Sequence, residues 1–215
     1  NFQDWQPTGY SVKSGDVINV YVDCEDGEPI PYLVFKQMDR QDNGQVQISL
    51  KNGKNTITIP DISTSNTRPG TAAGGVLYTN NPYTEEEQSR KPKIRIENAR
   101  NYPHYIKGVD NDAEVMKELE EYVVKLKSDS TLPDVFEVFS DKTLVNVRAT
   151  FALDWYVKNN KLPSYTAYKS DDVIKEAMDF WGFDDSSELN SDFNFRYITM
   201  LKYLDGGGFM NAGNG

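Results

Sequence analysis

Gly108-Val-Asp-Asn-Asp-Ala-Glu-Val-Met-Lys-Glu-Leu-Glu-Glu-Tyr122 is the stretch in which the periodicity of the chain changes. Asn111 stands three residues before Glu114, the spacing of a helix-capping box. Val115, Leu119, Tyr122 and Leu126 then recur at helical intervals, with Glu118, Glu120 and Glu121 largely on the other face. Upstream of Gly108 the apolar residues alternate with a period of two; downstream they repeat about every 3.6 residues. The chain therefore divides into a β-sandwich subdomain, 1–108, and a helical segment, 109–215. The predicted fold class is α+β, an antiparallel β-sandwich followed by a mostly helical segment.

Working back from Gly108, Ile94 and Ile96 alternate within Lys93–Asn98. Gly74-Gly-Val-Leu-Tyr-Thr79 reads as a strand entered through two glycines, a sign of a bulge or a close backbone approach. Thr56–Ile59 and the Val46, Ile48, Leu50 run flank Asn52-Gly53, which predicts a hairpin. Asp39-Arg-Gln-Asp-Asn-Gly44 begins like a calcium loop but has Leu50 where the twelfth-position acid belongs, so it is read as a turn. Ile18, Val20 and Val22 form one face of a strand over Val17–Asp23, preceded by the turn Ser14-Gly15-Asp16 and a strand from Tyr10 to Lys13. Tyr32–Phe35 is a further strand.

Working forward, Leu132–Phe139 is a short strand candidate. A second helix is expected from Ser140 or Asp141 through Lys158, carrying Leu144, Val147, Phe151 and Trp155. Ser170-Asp171-Asp172 predicts the start of a third, and a fourth is expected over about 190–204. It ends at Gly206-Gly-Gly-Phe-Met-Asn-Ala-Gly-Asn-Gly215, which is either a disordered end or a strand leading onward.

The chemistry-bearing residues are few. With 33 acids against 23 bases the net charge is −10, which disfavours nucleic acid or an anionic membrane as partner. No apolar run is long enough to span a bilayer. Cys24 is the single cysteine, so neither an internal disulfide nor a cysteine zinc cluster can form. His104 is the single histidine, and no His-Glu-x-x-His helix or phosphate-binding glycine loop is present. Asp184-Asp185 and Glu85-Glu86-Glu87 read as solvated loop charge rather than a catalytic carboxylate pair. Trp5, Tyr10, Tyr78, Tyr83, Tyr102 and Tyr105 would stack on sugar rings if exposed, or serve as core and edge packing if not. The residues specify neither a catalytic set nor a metal site.

Four separated segments resemble the enhancin-like metallopeptidases. Trp5-Gln-Pro-Thr-Gly-Tyr-Ser-Val-Lys-Ser-Gly-Asp-Val-Ile-Asn-Val-Tyr-Val22 is similar to the opening of that family's catalytic module. Gly74-Gly-Val-Leu-Tyr78 resembles its glycine-entered strand. Lys93-Ile-Arg-Ile-Glu-Asn-Ala99, with Pro103, Tyr105 and Gly108, resembles the run that closes its β portion. Gly208-Phe-Met-Asn-Ala-Gly213 resembles the small-residue segment upstream of its zinc helix.

The resemblance implies a secreted or cell-surface, gluzincin-type zinc endopeptidase acting on mucins and other O-glycosylated proteins. In such enzymes a His-Glu-x-x-His helix supplies two zinc ligands and the general base. This sequence lacks that helix, so the expectation is an N-terminal fragment, processed or excised, with no catalytic residues and no metal or other cofactor of its own; zinc belongs to the parent enzyme. The resemblance further implies that Phe209, Met210, Asn211 and Ala212 begin the edge strand that pairs with substrate backbone. The alternative is a non-enzymatic carbohydrate-binding or structural cell-surface sandwich module. The fragment reading also predicts uncovered apolar surface on the second and third helices, or self-association that hides it.

Overall fold

The computed structural model describes residues 5–37, 45–62, 74–80, 92–183, 186–190 and 197–199. They belong to two compact units. Among the described residues, one contains Trp5 to Tyr102 together with Ser128–Pro133; the other contains Pro103–Lys127 and Asp134 to Thr199.

The first unit contains β1 (Trp5–Lys13), β2 (Val17–Asp23), β3 (Tyr32–Lys36), β4 (Gln45–Ser49), β5 (Gly53–Thr58), β6 (Gly74–Asn80), β7 (Lys93–Glu97) and β8 (Arg100–Asn101). One sheet runs β4-β3-β6-β1-β8 and the other β5-β2-β7, all neighbours antiparallel. The alternation read in β2 is the reason for the layer: Ile18, Val20 and Val22 face inward and meet Val12, Leu33, Phe35 and Leu77 of the larger sheet. Each such side chain contributes about 1.5–3 kcal/mol by leaving water. The expected antiparallel sandwich is therefore present.

The hairpin expected at Asn52-Gly53 does not form. β4 pairs with β3, Tyr32 opposite Ser49, whereas β5 pairs with β2, Val17 opposite Thr58, so the chain crosses from one sheet to the other here. Asn52 makes the corner: its side chain accepts from Cys24 N at 3.0 Å and donates to Cys24 O at 2.7 Å. Gly53, at φ +83°, supplies the left-handed turn. An Asn-Gly pair specifies a tight turn, but it does not specify which strands the turn joins.

The glycine pair entering β6 is a close-approach site, as its sequence indicates. A Cβ on Gly74 would collide with the Thr131 carbonyl, and one on Gly75 with the Lys36 carbonyl and, at 2.8 Å, with the Phe35 ring. Thr131 belongs to the Ser128–Pro133 segment, held to the sandwich by Arg100, whose guanidinium donates to Thr131 Oγ1 at 2.8 Å and Thr131 O at 3.0 Å.

The second unit contains β9 (His104–Ile106), α1 (Asp112–Leu126), β10 (Phe136–Phe139), β11 (Thr143–Val147), α2 (Ala149–Asn159), α3 (Pro163–Trp181), a 3-10 turn at Glu188–Asn190 and β12 (Tyr197–Thr199). Asn111 caps α1 as its spacing predicts, accepting from Ala113 N and Glu114 N, and Val115, Leu119 and Tyr122 are buried. The sheet order is β12-β11-β10-β9, with β10–β11 antiparallel and both outer pairs parallel.

Three helix expectations need correction here. The second helix starts at Ala149, not at Ser140 or Asp141, because Thr143–Val147 is strand β11. Its β-branched Thr143, Val145 and Val147 alternate, and pairing with β10 outweighs the helical spacing of Leu144, Val147 and Phe151. The third helix begins at Pro163, a residue whose fixed φ suits the first helical position, so Ser170-Asp171-Asp172 lie mid-helix. Within the expected fourth helix, Tyr197–Thr199 is strand, paired in parallel with β11; 191–196 and 200–204 lie outside the described residues.

Candidate functional site

The four-stranded sheet of the second unit brings the polar side chains of the helical half together. Register places His104 of β9 and Asn146 of β11 opposite Glu137 of the central β10, one row on one face. Glu137 is fully buried and its Oε1 accepts from Asn146 Nδ2 at 2.8 Å. A carboxylate sealed this way cannot touch a substrate. On β10 the alternate residue Phe136 packs edge-on against Tyr156 of α2, centroids 6.1 Å apart. The Tyr156 hydroxyl, bonded to Thr166 at 2.8 Å, is pushed up to about 12 by burial, with Thr166 opposing and Asp112 adding to the shift.

A charged node fastens the end of this sheet to α3. Lys107 Nζ lies 2.7 Å from both Asp141 and Asp171 and 4.8 Å from the Tyr168 ring centroid. The bonds to Asp141 and then Asp171 hold the ammonium well above the usual lysine range. Burial pushes the Asp171 carboxyl up, but donation from Lys107, Ser140 and the Lys142 amide outweighs it and leaves the group below the usual range. A lysine whose charged form is favoured this strongly does not act as a base near neutrality.

The residues singled out in the sequence are distributed as follows. Phe209, Met210, Asn211 and Ala212, the expected substrate-pairing strand, lie outside the described residues, as do Asp39–Gly44, Glu85–Glu87 and Asp184–Asp185. The outer strands of the described sheet are β12, beside β11, and β9, beside β10. Trp5, Tyr78, Tyr102 and Tyr105 are buried, so they are packing residues and not sugar platforms; Trp5 stacks on Tyr78 with centroids 5.3 Å apart. Tyr10 is partly buried and Tyr83 lies outside the described residues.

The described residues do not fit a zinc site. No group of three or more His, Cys, Asp or Glu among them could hold a metal ion, and His104 is the chain's one imidazole. No described helix is long and apolar enough to cross a membrane. Sequence reasoning missed the Lys107–Asp171 node, since contacts 64 residues apart leave no local signal.

No family model matches the chain, and neither does any curated protein. Solved structures do. The catalytic module of the metalloprotease ZmpA from Clostridium perfringens is 75% identical over 100% of this chain, which spans 43% of it, with a TM-score of 0.91. The M60 catalytic domain of ZmpC from the same organism, solved in complex with the sialyl T antigen, is 52% identical over 98% of this chain, which spans 42% of it, with a TM-score of 0.90. The M60 catalytic domain of Clostridium perfringens ZmpB, solved with its CBM51-1 and CBM51-2 domains, is 53% identical over 100% of this chain, which spans 23% of it, with a TM-score of 0.91. The chain thus spans less than half the length of each of these relatives. Identity of this order, sustained from end to end on a shared α+β framework, means that the chain belongs to the M60, enhancin-like metallopeptidase family, as part of a catalytic module.

Proposed function

We propose that the chain is the N-terminal portion of a secreted or cell-surface enhancin-like zinc metallopeptidase that cleaves mucin-type O-glycoproteins. The 75% identity to the ZmpA catalytic module carries this reading. The ZmpC relative, solved with the sialyl T antigen, supports a glycoprotein substrate, and the ZmpB relative with its carbohydrate-binding CBM51 domains supports an extracellular setting. In this reading 1–108 is the β-sandwich subdomain of the module and 109–215 begin its catalytic domain. Phe209 to Ala212 start the strand that pairs with extended substrate backbone. Zinc and the general base are supplied by parts of the parent enzyme beyond this chain, whose residues bind no catalytic metal and hydrolyse nothing alone.

The test replaces the matching segment of the ZmpA module with this chain. Zinc-dependent cleavage of an O-glycosylated mucin is expected from the folded chimera and not from the 215-residue chain given zinc. A folded chimera that binds zinc yet leaves the mucin intact, or metal-dependent cleavage by the chain alone, overturns the reading.

A further inference from the structure

Several aromatic side chains of α2 and α3 face away from the core of their own unit. The buried positions of α2 are Ala149, Ala152 and Tyr156, and those of α3 are Pro163, Ala167 and Met178. Facing outward, Phe151 is 60% exposed, Tyr168 54% and Tyr165 37%. Phe151 and the half-buried Trp155 are four apart, hence on one face of α2, and Trp155 lies 6.1 Å from Tyr165, centroid to centroid. Tyr168 follows Tyr165 by three positions, so the four rings make a continuous strip across both helices. Lys161 Nζ sits 4.6 Å from the Tyr165 centroid, and Lys107 Nζ, already paired with Asp141 and Asp171, 4.8 Å from that of Tyr168. Single exposed apolar residues are ordinary; a connected aromatic strip on helices whose other face is already buried marks a packing surface.

We propose that the Phe151–Trp155–Tyr165–Tyr168 strip is an internal packing face of the M60 module, covered by the part of the module that this chain does not span. The inference rests on the reading that the chain works within such a module. The relatives favour this occupant: this chain spans 43% of the ZmpA module, so more than half of that module packs somewhere beyond the matched segment. A second copy is the poorer fit, because two chains of net charge −10 repel.

Hydroxyl-radical footprinting of the 215-residue chain and of the ZmpA chimera tests this. The four rings should label readily in the chain alone and fall in the chimera to the level of the buried Tyr122 and Tyr156. Phe151→Asp with Tyr165→Asp should leave the melting temperature of the chain unchanged and lower that of the chimera. Equal labelling in both proteins, or a chain that dimerises through the strip while the chimera leaves it open, overturns the inference. The mucin assay separates the two readings: a protected strip in an inactive chimera sinks the proposed activity alone, and an active chimera with an open strip sinks this inference alone.

Discussion

Asn146 Nδ2 donates a 2.8 Å hydrogen bond to Glu137 Oε1 across the central pair of strands of the second unit, with both side chains buried. Removing a donor from a buried carboxylate leaves part of its desolvation cost uncompensated. Asn146→Leu should therefore destabilise the chain by about 1–3 kcal/mol. The double variant with Glu137→Leu should lose less than the sum of the single losses. Urea denaturation of the set measures this; additive losses would show that the pair has no coupling of its own.

Lys107→Met removes the cation shared by Asp141 and Asp171. With Asp171 mostly buried and Asp141 largely exposed, the loss should fall between surface and buried pairs, about 1–3 kcal/mol near neutral pH. Thermal melts of the two proteins give the difference.

The same node fixes a direction with pH. Asp171 is held below its ordinary value of 3.8, so its contribution is present above that value and is lost as pH falls through the lower native one. Lys107 is raised above 10.5, so its contribution is complete below that value and is lost as pH rises through the native one. The stability gap between wild type and Lys107→Met should accordingly be flat around neutrality and close on acidification below about pH 4. A gap that widens in acid would contradict the assignment.

Gly75→Ala should cost about 1–3 kcal/mol, because the added methyl meets the Lys36 carbonyl and the Phe35 ring inside the sandwich. Gly27→Ala, at φ +85° with open space around it, should be strained only by its backbone. Comparing denaturation midpoints separates steric collision from conformational cost.

Asn111→Ala removes acceptors from Ala113 N and Glu114 N and should destabilise the second unit by about 1 kcal/mol, while Asn111→Asp should keep the cap. Hydrogen exchange at those two amides reads the effect directly.

Much of this was legible in the residue order. The inward Ile18, Val20 and Val22, the cap at Asn111 and the buried Val115, Leu119 and Tyr122 stand where periodicity puts them. The resemblance of four segments also pointed to the family that the solved relatives show. β11 was hidden because Leu144, Val147 and Phe151 satisfy a helical spacing as well as Thr143, Val145 and Val147 satisfy a strand. Asn52-Gly53 specified a turn without saying that β4 and β5 go to different sheets. The expected uncovered apolar surface is present at Phe151 on α2 and at Tyr165, Tyr168 and Phe180 on α3.

By itself, then, the sequence determined what depends on neighbours along the chain: strand alternation, helix caps, the glycine pair at Gly74-Gly75 and the absence of a His-Glu-x-x-His helix. Tertiary structure alone decided which strands pair, that Trp5 and Tyr78 stack in the interior, and that Lys107 reaches Asp171. Those outcomes are set by burial and hydrogen bonding between residues distant in sequence, and no local pattern encodes such energies.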